Sequence, residues 1–304
     1  MVATGRGTVL ITGGNGLVGS HLTRILLAEG HAVRHLSRQP RPGSPVPVFK
    51  WSVADGYLDP GALEGVDHVV HLSGANIASR RWTPDRMREL YSSRVDAADL
   101  LLREAKRHGL WPRTFISAGG INYYGTATSD HIFTEDDPPA NDTLGNLCQA
   151  WERSAFAWAP HARVAVLRMP MVLARGAGAL PKMAGPARWG LAAPFGTGRQ
   201  WMPWAHVEDV ARAFVFLIQQ DVDGAFNLAA PEQMRNRDFI RELAHVLHRP
   251  CFLPAIPAPL LRAAMGSMAS LILEGSRVHG GKLARAGFPL LHPALRPALA
   301  TLLQ

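Results

Sequence analysis

The apolar residues of this chain follow two periods. Short unbroken runs such as Val9-Leu10-Ile11 read as buried strands, and stretches with an apolar residue at every third or fourth position read as helices. The first such pair is Val9 to Ile11 and, after a glycine turn, a helix through Leu17, Val18, His21, Leu22, Ile25 and Leu26 that Gly30 stops. Ala32 to Arg38 is the second strand. Val48 to Trp51, beyond the proline-rich loop Pro40 to Pro47, is a short third, and the run from Asp67 to Leu72 a fourth. A long amphipathic helix is predicted from about Pro84 to His108, with Pro84 in its first turn and Thr83 as N-cap. Thr114 to Ser117 makes a fifth strand and Leu144 to Trp158 a helix; strands Val164 to Met169 and Gly224 to Leu228 complete the series. Strands alternating with helices predict an α/β protein built on a parallel, doubly wound sheet. From Met171 the composition turns to Gly, Pro and Trp, and Pro231 to Gln304 reads as helices broken by proline-rich loops.

The first turn carries the clearest chemistry. Gly13, Gly16 and Gly19 stand at a G-x-x-G-x-x-G spacing between a predicted strand and a predicted helix, close to the G-x-G-x-x-G of dinucleotide sites. The first glycine permits the tight turn, the second lets backbone approach a pyrophosphate, and the third lets helix pack on strand. Gly13, Asn15, Gly16, Leu17 and Val18 are therefore expected around the phosphates, at a helix N-terminus that attracts anions. At the end of the second strand, NAD sites place an acidic residue for the ribose 2′-OH, and NADP sites an arginine for the 2′-phosphate. No Asp or Glu lies between Ala32 and Val53, whereas Ser37 and Arg38 stand at that end, so NADP(H) is the expected cofactor. Leu72-Ser73-Gly74-Ala75 ends the fourth strand in small residues that let backbone pass adenine and ribose. The expected architecture is a Rossmann-type domain over residues 1–170, to which 201–228 returns. Residues 171–200 and 229–304 are expected to form a smaller, mostly helical C-terminal lobe over the substrate.

Composition narrows the picture. With 304 residues, 47% of them apolar, the chain can build a large core in one or two domains. Its formal charge of +8 comes from arginines spread along the sequence, which predicts a basic-tinged surface and no nucleic-acid partner. The first strand begins within ten residues of Met1, which predicts no signal peptide. Leu253 to Leu273 is the most membrane-like stretch, but Arg262, Pro254, Pro257 and Pro259 leave only Leu260 to Leu273 as a helix, too short for a bilayer. A soluble, cytoplasmic protein without membrane contact is expected. Cys148 and Cys251 are isolated thiols without ligand spacing, so neither a disulfide framework nor a metal is expected.

Together these stretches resemble the extended short-chain dehydrogenase/reductase superfamily, and most of all its nucleotide-sugar-epimerase-like branch, the SDR39U1-like group. The likeness is carried by Thr12 to Gly19, Leu36-Ser37-Arg38, Leu72 to Ile77, Arg81-Trp82-Thr83, Ser93-Arg94-Val95, Ile116 to Gly125, Trp151-Glu152, Gly196 to Asp209 and Lys282 to Phe288. It implies that Ser37, Arg38, Leu72, Ser73, Glu89, Arg94 and Val172 join the glycine turn as NADP contacts; Gly74 and Ser117, at the ends of the fourth and fifth strands, are expected at the cofactor as well. It also implies a lobe closing over a small-molecule substrate, and homodimerisation through the helices near Pro84 to His108 and Leu144 to Trp158.

The superfamily's catalytic set departs from the pattern. Its members use a serine after the fifth strand and a tyrosine four residues before a lysine, the lysine lowering the pKa of the phenol that moves the proton. Here the serine position falls on Gly119 or Gly120. The following helix offers Cys148 and Glu152, or Leu144 and Cys148, at the tyrosine and lysine positions. The phenols available are Tyr123 and Tyr124, with Asn122 and Ser117 to orient a carbonyl. Lys182, Arg199 and His206 are the candidates to meet an anionic substrate, Arg199 favoured by Gly196 and Gly198 beside it. Two readings follow: an NADP(H)-dependent oxidoreductase or nucleotide-sugar-epimerase-like enzyme acting on a small or nucleotide-linked carbonyl or alcohol, and a non-catalytic NADP(H)-binding sensor or partner-binding protein linked to cell division. Cys148, on a helix without a basic neighbour, is expected to be inert.

Overall fold

Val9, Leu10 and Ile11 lie fully buried in the strand from which the fold is built outward. The computed structural model of the protein describes residues 7–39 and 43–304; Pro40 to Pro42, the start of the proline-rich loop, fall outside the described residues. In chain order the strands are β1 (Thr8–Thr12), β2 (Ala32–Ser37), β3 (Val48–Ser52), β4 (Tyr57–Leu58), β5 (His68–His71), β6 (Thr114–Gly120), β7 (Ile132–Phe133), β8 (Arg163–Met169), β9 (Met171–Leu173), β10 (Trp204–His206), β11 (Gly224–Asn227) and β12 (Arg277–Val278). The helices are α1 (Leu17–Ala28), α2 (Pro84–Ser92), α3 (Val95–His108), α4 (Thr143–Phe156), α5 (Leu180–Arg188), α6 (Val207–Gln219), α7 (Asn236–Val246), α8 (Ala258–Met265), α9 (Ser270–Leu273), α10 (Gly281–Arg285) and α11 (Leu295–Leu303).

Eight strands form one sheet in the order β11-β8-β6-β5-β1-β2-β3-β4. All its pairings are parallel except β3 with β4. Helices cover both faces, as a parallel sheet requires. Leu22 and Leu26 of α1 and Val210 and Phe214 of α6 bury one face. Leu100 and Leu101 of α3, with Ala155 and Trp158 at the end of α4, bury the other. Each fully buried leucine, valine or phenylalanine among them contributes about 1.5–3 kcal/mol. Chain order reverses between β1 and β5, and the carboxyl ends of these two strands open the crevice where such sheets bind ligands.

Outside the sheet, α5, α7 and α11 share a separate apolar cluster built on Leu180, Ala184, Phe239, Leu243, Leu295 and Leu299. The last part of the chain is not confined to that lobe. Leu283 and Phe288, in and after α10, return to pack with α6 against the sheet.

Two sequence expectations need correction, and one strand was not anticipated. The single helix over Pro84 to His108 is two helices, with Ser93 and Arg94 between them. Ser93 Oγ donates to Leu90 O and accepts from Ala75 N, while the Arg94 guanidinium donates to Leu90 O and Ala75 O. The loop after β5 is thus fastened into the break, a tertiary bond that periodicity does not report. β4 is an added strand, a two-residue hairpin partner of β3 too short to give a run. The apolar stretch from Leu260 to Leu273 is interrupted at Gly266, whose φ is +63°. Among the described residues no helix is long and apolar enough to cross a membrane.

Candidate functional site

Gly16 caps α1 without a side-chain hydrogen bond, and the first turn of the helix holds no acidic residue. Its leading N–H groups and positive dipole end are thereby left for an anion. The backbone is packed so tightly here that side chains are excluded. A Cβ on Gly19 would lie 2.4 Å from Gly13 O, and one on Gly13, at φ +70°, 3.0 Å from Leu72 O. Gly14, outside the spaced triplet, makes room for the His35 ring, which a Cβ would meet at 2.4 Å; that ring pairs with Thr23 Oγ1 at 2.8 Å. Asn15 and Gly16 are exposed at the turn, and Leu17 and Val18 half-buried beside it. At the end of β2, Ser37 Oγ is spent on a local turn with Gln39, whereas Arg38 is exposed and has no partner among the described residues. A cradle that a Cβ would fill, an uncapped helix start and an open guanidinium fit an NADP(H) dinucleotide.

The second wall of the crevice hangs on one hydroxyl. Thr12 Oγ1 accepts from Leu72 N and Ser73 N, each at 3.0 Å, so its own proton goes to His71 Nδ1 at 3.0 Å. His71 is therefore neutral with its proton on Nε2, which donates to Arg94 O at 3.0 Å. Burial pushes the pKa of His71 down to about 4. Arg94 is buried and stacks on Trp151 at 4.9 Å, and a Cβ on Gly74 would come within 2.9 Å of its guanidinium. Burial lowers its pKa to about 10. Glu89 lies on the exposed side of α2, paired with Arg80 and Arg86.

Beyond β6, the chain turns through a short 3-10 helix, Ile121–Tyr124. Tyr124 is buried; its hydroxyl donates to Asn227 Oδ1 at 2.8 Å and accepts from Arg168 Nη1 at 2.7 Å. The same guanidinium forks onto Glu152, Nε to Oε1 at 2.7 Å and Nη2 to Oε2 at 2.8 Å, and lies 3.6 Å above the Tyr123 ring. Burial raises the Tyr124 phenol to about 12 against the opposing influence of Arg168. Burial also works against the charge of Arg168, but the Glu152 carboxylate outweighs it and raises its pKa. The fold thus contains a phenol–cation pair, directed into the interior. Tyr123 keeps a hydroxyl with no partner among the described residues. Ser117 is fully buried with its Oγ bonded to Ala118 O. Cys148 is buried too, its thiol pushed up to about 12 by burial and then by Glu152.

A cleft of about 490 Å³ opens between the loops after β5 and β6, the Met169-Pro170-Met171 segment, the start of α5, residues 195 and 200–203, and residues 271–276. Asn122 and Lys182 line it. Val172 lies beside it: its carbonyl would be 3.4 Å from a Cβ on Gly178, a cleft residue that also approaches Leu17 of the glycine turn. Arg199 and His206 are not among the lining residues. Arg199 is exposed, and Gly196 and Gly198, at positive φ, make room for Leu273 and for Arg237 and Pro194 rather than for a ligand. His206 caps α6 by accepting from Glu208 N and stacks on His292 at 3.8 Å. Sequence reasoning missed Gln200. It is almost fully buried in the cleft wall, donating to Phe195 O at 3.1 Å and Ile272 O at 2.6 Å, with its Oε1 buried and unpaired. Its place in the Gly196 to Asp209 stretch was the available signal, but an amide carries no motif of its own.

The NAD dependent epimerase/dehydratase family matches residues 9–229, and a domain of unknown function (DUF1731) matches residues 256–302. The mouse epimerase family protein SDR39U1 is 35% identical over 296 residues, 96% of this chain and 98% of that protein. The crystal structure of human SDR39U1 (isoform 2) with NADPH superposes with a TM-score of 0.87 at 32% identity, over 97% of this chain and 98% of that one. A nucleoside-diphosphate sugar epimerase from Corynebacterium glutamicum gives a TM-score of 0.79 at 26% identity, over 98% of this chain and 58% of its own.

Proposed function

The chain belongs to the NAD dependent epimerase/dehydratase family, and from that premise we propose that it is an NADP(H)-dependent oxidoreductase or epimerase-like enzyme acting on an alcohol or carbonyl. The observation that carries this reading is the close-packed glycine cradle, with Arg38 open at the end of β2 and the enclosed cleft beginning at Gly178 next to Leu17. Gly13, Asn15, Gly16, Leu17 and Val18 hold the pyrophosphate at the start of α1. Ser37 and Arg38 receive the 2′-phosphate, the guanidinium by a forked pair of hydrogen bonds. Leu72, Ser73 and Gly74, fixed by Thr12, pass along the adenosine, with Arg94 beneath Gly74. The dinucleotide, when bound, supplies the hydride acceptor or donor. The NADPH in the human relative's structure supports the same choice of cofactor.

On the substrate side, Asn122 in the cleft wall orients the reacting oxygen, and Lys182 at the start of α5 meets an anionic group. Neither phenol is among the cleft's lining residues; of the two, Tyr123 is the one whose hydroxyl stands outside the network that ties up Tyr124. The expected result is that Tyr123→Phe abolishes turnover, while Tyr124→Phe lowers thermal stability and leaves kcat within a few-fold.

The first test is a fluorescence titration with NADPH and NADH side by side, using the eight tryptophans as donors. Preference for NADPH that disappears in Arg38→Ala supports the assignment; equal binding of both overturns it. A second reading, an NADP(H)-binding protein without turnover, draws on the inward direction of the Tyr124–Arg168 pair. Hydride transfer decides between them. An enzyme oxidises its bound NADPH with some carbonyl compound, whereas a sensor holds it unchanged.

A further inference from the structure

Arg81 has no part in the cofactor cradle, and its guanidinium meets no carboxylate among the described residues. It donates instead to two backbone carbonyls, from Nε to Ala264 O at 3.0 Å and from Nη2 to Ala263 O at 2.6 Å and Ala264 O at 2.7 Å. Both carbonyls stand at the C-terminal end of α8, where a helix leaves them without an internal partner and its dipole favours a cation. The contact bridges 183 positions of sequence and joins two walls of the cleft. Ile77 and Ala78 line the cleft from the loop that carries Arg81, and Met265 lines it from the end of α8.

The two sides of this bridge are held differently. The Arg81 loop is fastened to α2: buried Arg86 donates to Asn76 O and, at 2.9 Å, to Ser79 Oγ, while Trp82 Nε1 donates to Ile77 O at 2.9 Å. No residue of α8 is buried, and Leu260 is 62% exposed. The chain is pinned before the helix at Ile256, whose N–H donates to Pro194 O and whose carbonyl accepts from Gly196 N. After the helix it is pinned by buried Met268 and Ala269. Between these pins α8 is bounded by Pro257 and by Gly266, which sits at φ +63° with open space where a Cβ would lie. A helix that buries no side chain opens without disturbing the core, and a glycine gives it a swivel.

We propose that α8 is a lid on the cleft and that Arg81 is the latch that holds it shut. Opening gives up the Arg81 hydrogen bonds and no core packing, so ligands pass Met265 while the sheet stays folded. Closed, the lid keeps water from a reaction in the cleft. That purpose rests on the oxidoreductase reading; the latch itself belongs to the chain without ligand.

Hydrogen–deuterium exchange of the full chain without ligand, read by mass spectrometry, tests it. Arg81→Met keeps an unbranched side chain and removes the donors. Exchange across residues 258–265 is expected to quicken about tenfold or more, with β1, β5 and α6 unchanged. Arg81→Lys, which keeps a single charged donor group, is expected to fall between. A thiol placed in the cleft wall by Met183→Cys, in a chain carrying Cys251→Ser and with Cys148 buried, reports entry to the cleft. Its reaction with a maleimide should quicken when Arg81→Met is added, which loss of a purely local cap would not cause. Should Arg81→Met not fold, exchange of the unaltered chain in low urea decides. Lid amides exchange independently of urea, whereas those of a fixed cap follow the sheet with the slope of global unfolding. Exchange in 258–265 or thiol reactivity unchanged by Arg81→Met, or protection lost in the sheet as well, overturns the proposal. Failure to bind NADPH would remove the cofactor reading instead and leave these measurements to judge the lid.

Discussion

At the scale of single residues, the buried Arg168–Glu152 fork is the most consequential contact around the site. Both side chains are almost wholly buried, so removing one charge strands the other. Glu152→Gln is expected to lower stability by about 3–5 kcal/mol, read as a lower midpoint in chemical denaturation. A loss below about 1 kcal/mol would mean that water or another group replaces the carboxylate. Tyr124→Phe removes a hydroxyl that joins Arg168 to Asn227, with an expected cost of about 1–3 kcal/mol. Little of this was legible in the sequence. The glycine triplet announced itself because its spacing encodes a backbone path. Arg168, in a β-strand otherwise read as apolar, and Asn227, at the tip of another, gave no local sign of sharing a phenol with Tyr124.

At the scale of elements, the crevice depends on β1 and β5 ending together, and Thr12 is the knot. Thr12→Val keeps the shape of the residue and removes the hydroxyl that serves Leu72 N, Ser73 N and His71 Nδ1. Cofactor affinity is expected to fall about tenfold or more, with the sheet itself intact by circular dichroism. Gly19→Ala, which would place a methyl 2.4 Å from Gly13 O, should abolish binding outright. The strands and the order of alternation were readable from hydrophobic period, because a parallel sheet buried on both faces writes continuous apolar runs. The split between α2 and α3 was not. Both halves share one amphipathic pattern, and the break is made by partners at Ala75, nineteen residues from Arg94.

At the scale of the whole molecule, stability is linked to neutral imidazoles. His68, His71 and His206 have pKa values lowered to about 4 from 6.5, in each case chiefly by burial. Below pH 6.5 the unfolded chain takes up protons that the folded chain refuses, so stability is full above that pH and is lost as pH falls toward 4. For fully buried His71 the effect is on the order of 3 kcal/mol at most. The melting temperature should therefore decline between pH 6.5 and 5, before most carboxylates titrate; a flat profile over that interval would contradict the assignment. The Arg168–Glu152 pair has a longer reach. On the alignment that sets Cys148 and Glu152 at the superfamily's tyrosine and lysine positions, replacing Cys148 by tyrosine and Glu152 by lysine would write that signature into α4, yet the new ammonium would be buried against Arg168. Two like charges without a counterion would repel where one pair now neutralises itself, so the signature cannot be restored two residues at a time. Only a third change, Arg168 to a neutral residue, would reopen that path. The Arg168 guanidinium, and not only the two substituted positions, therefore limits which chemistry α4 can carry.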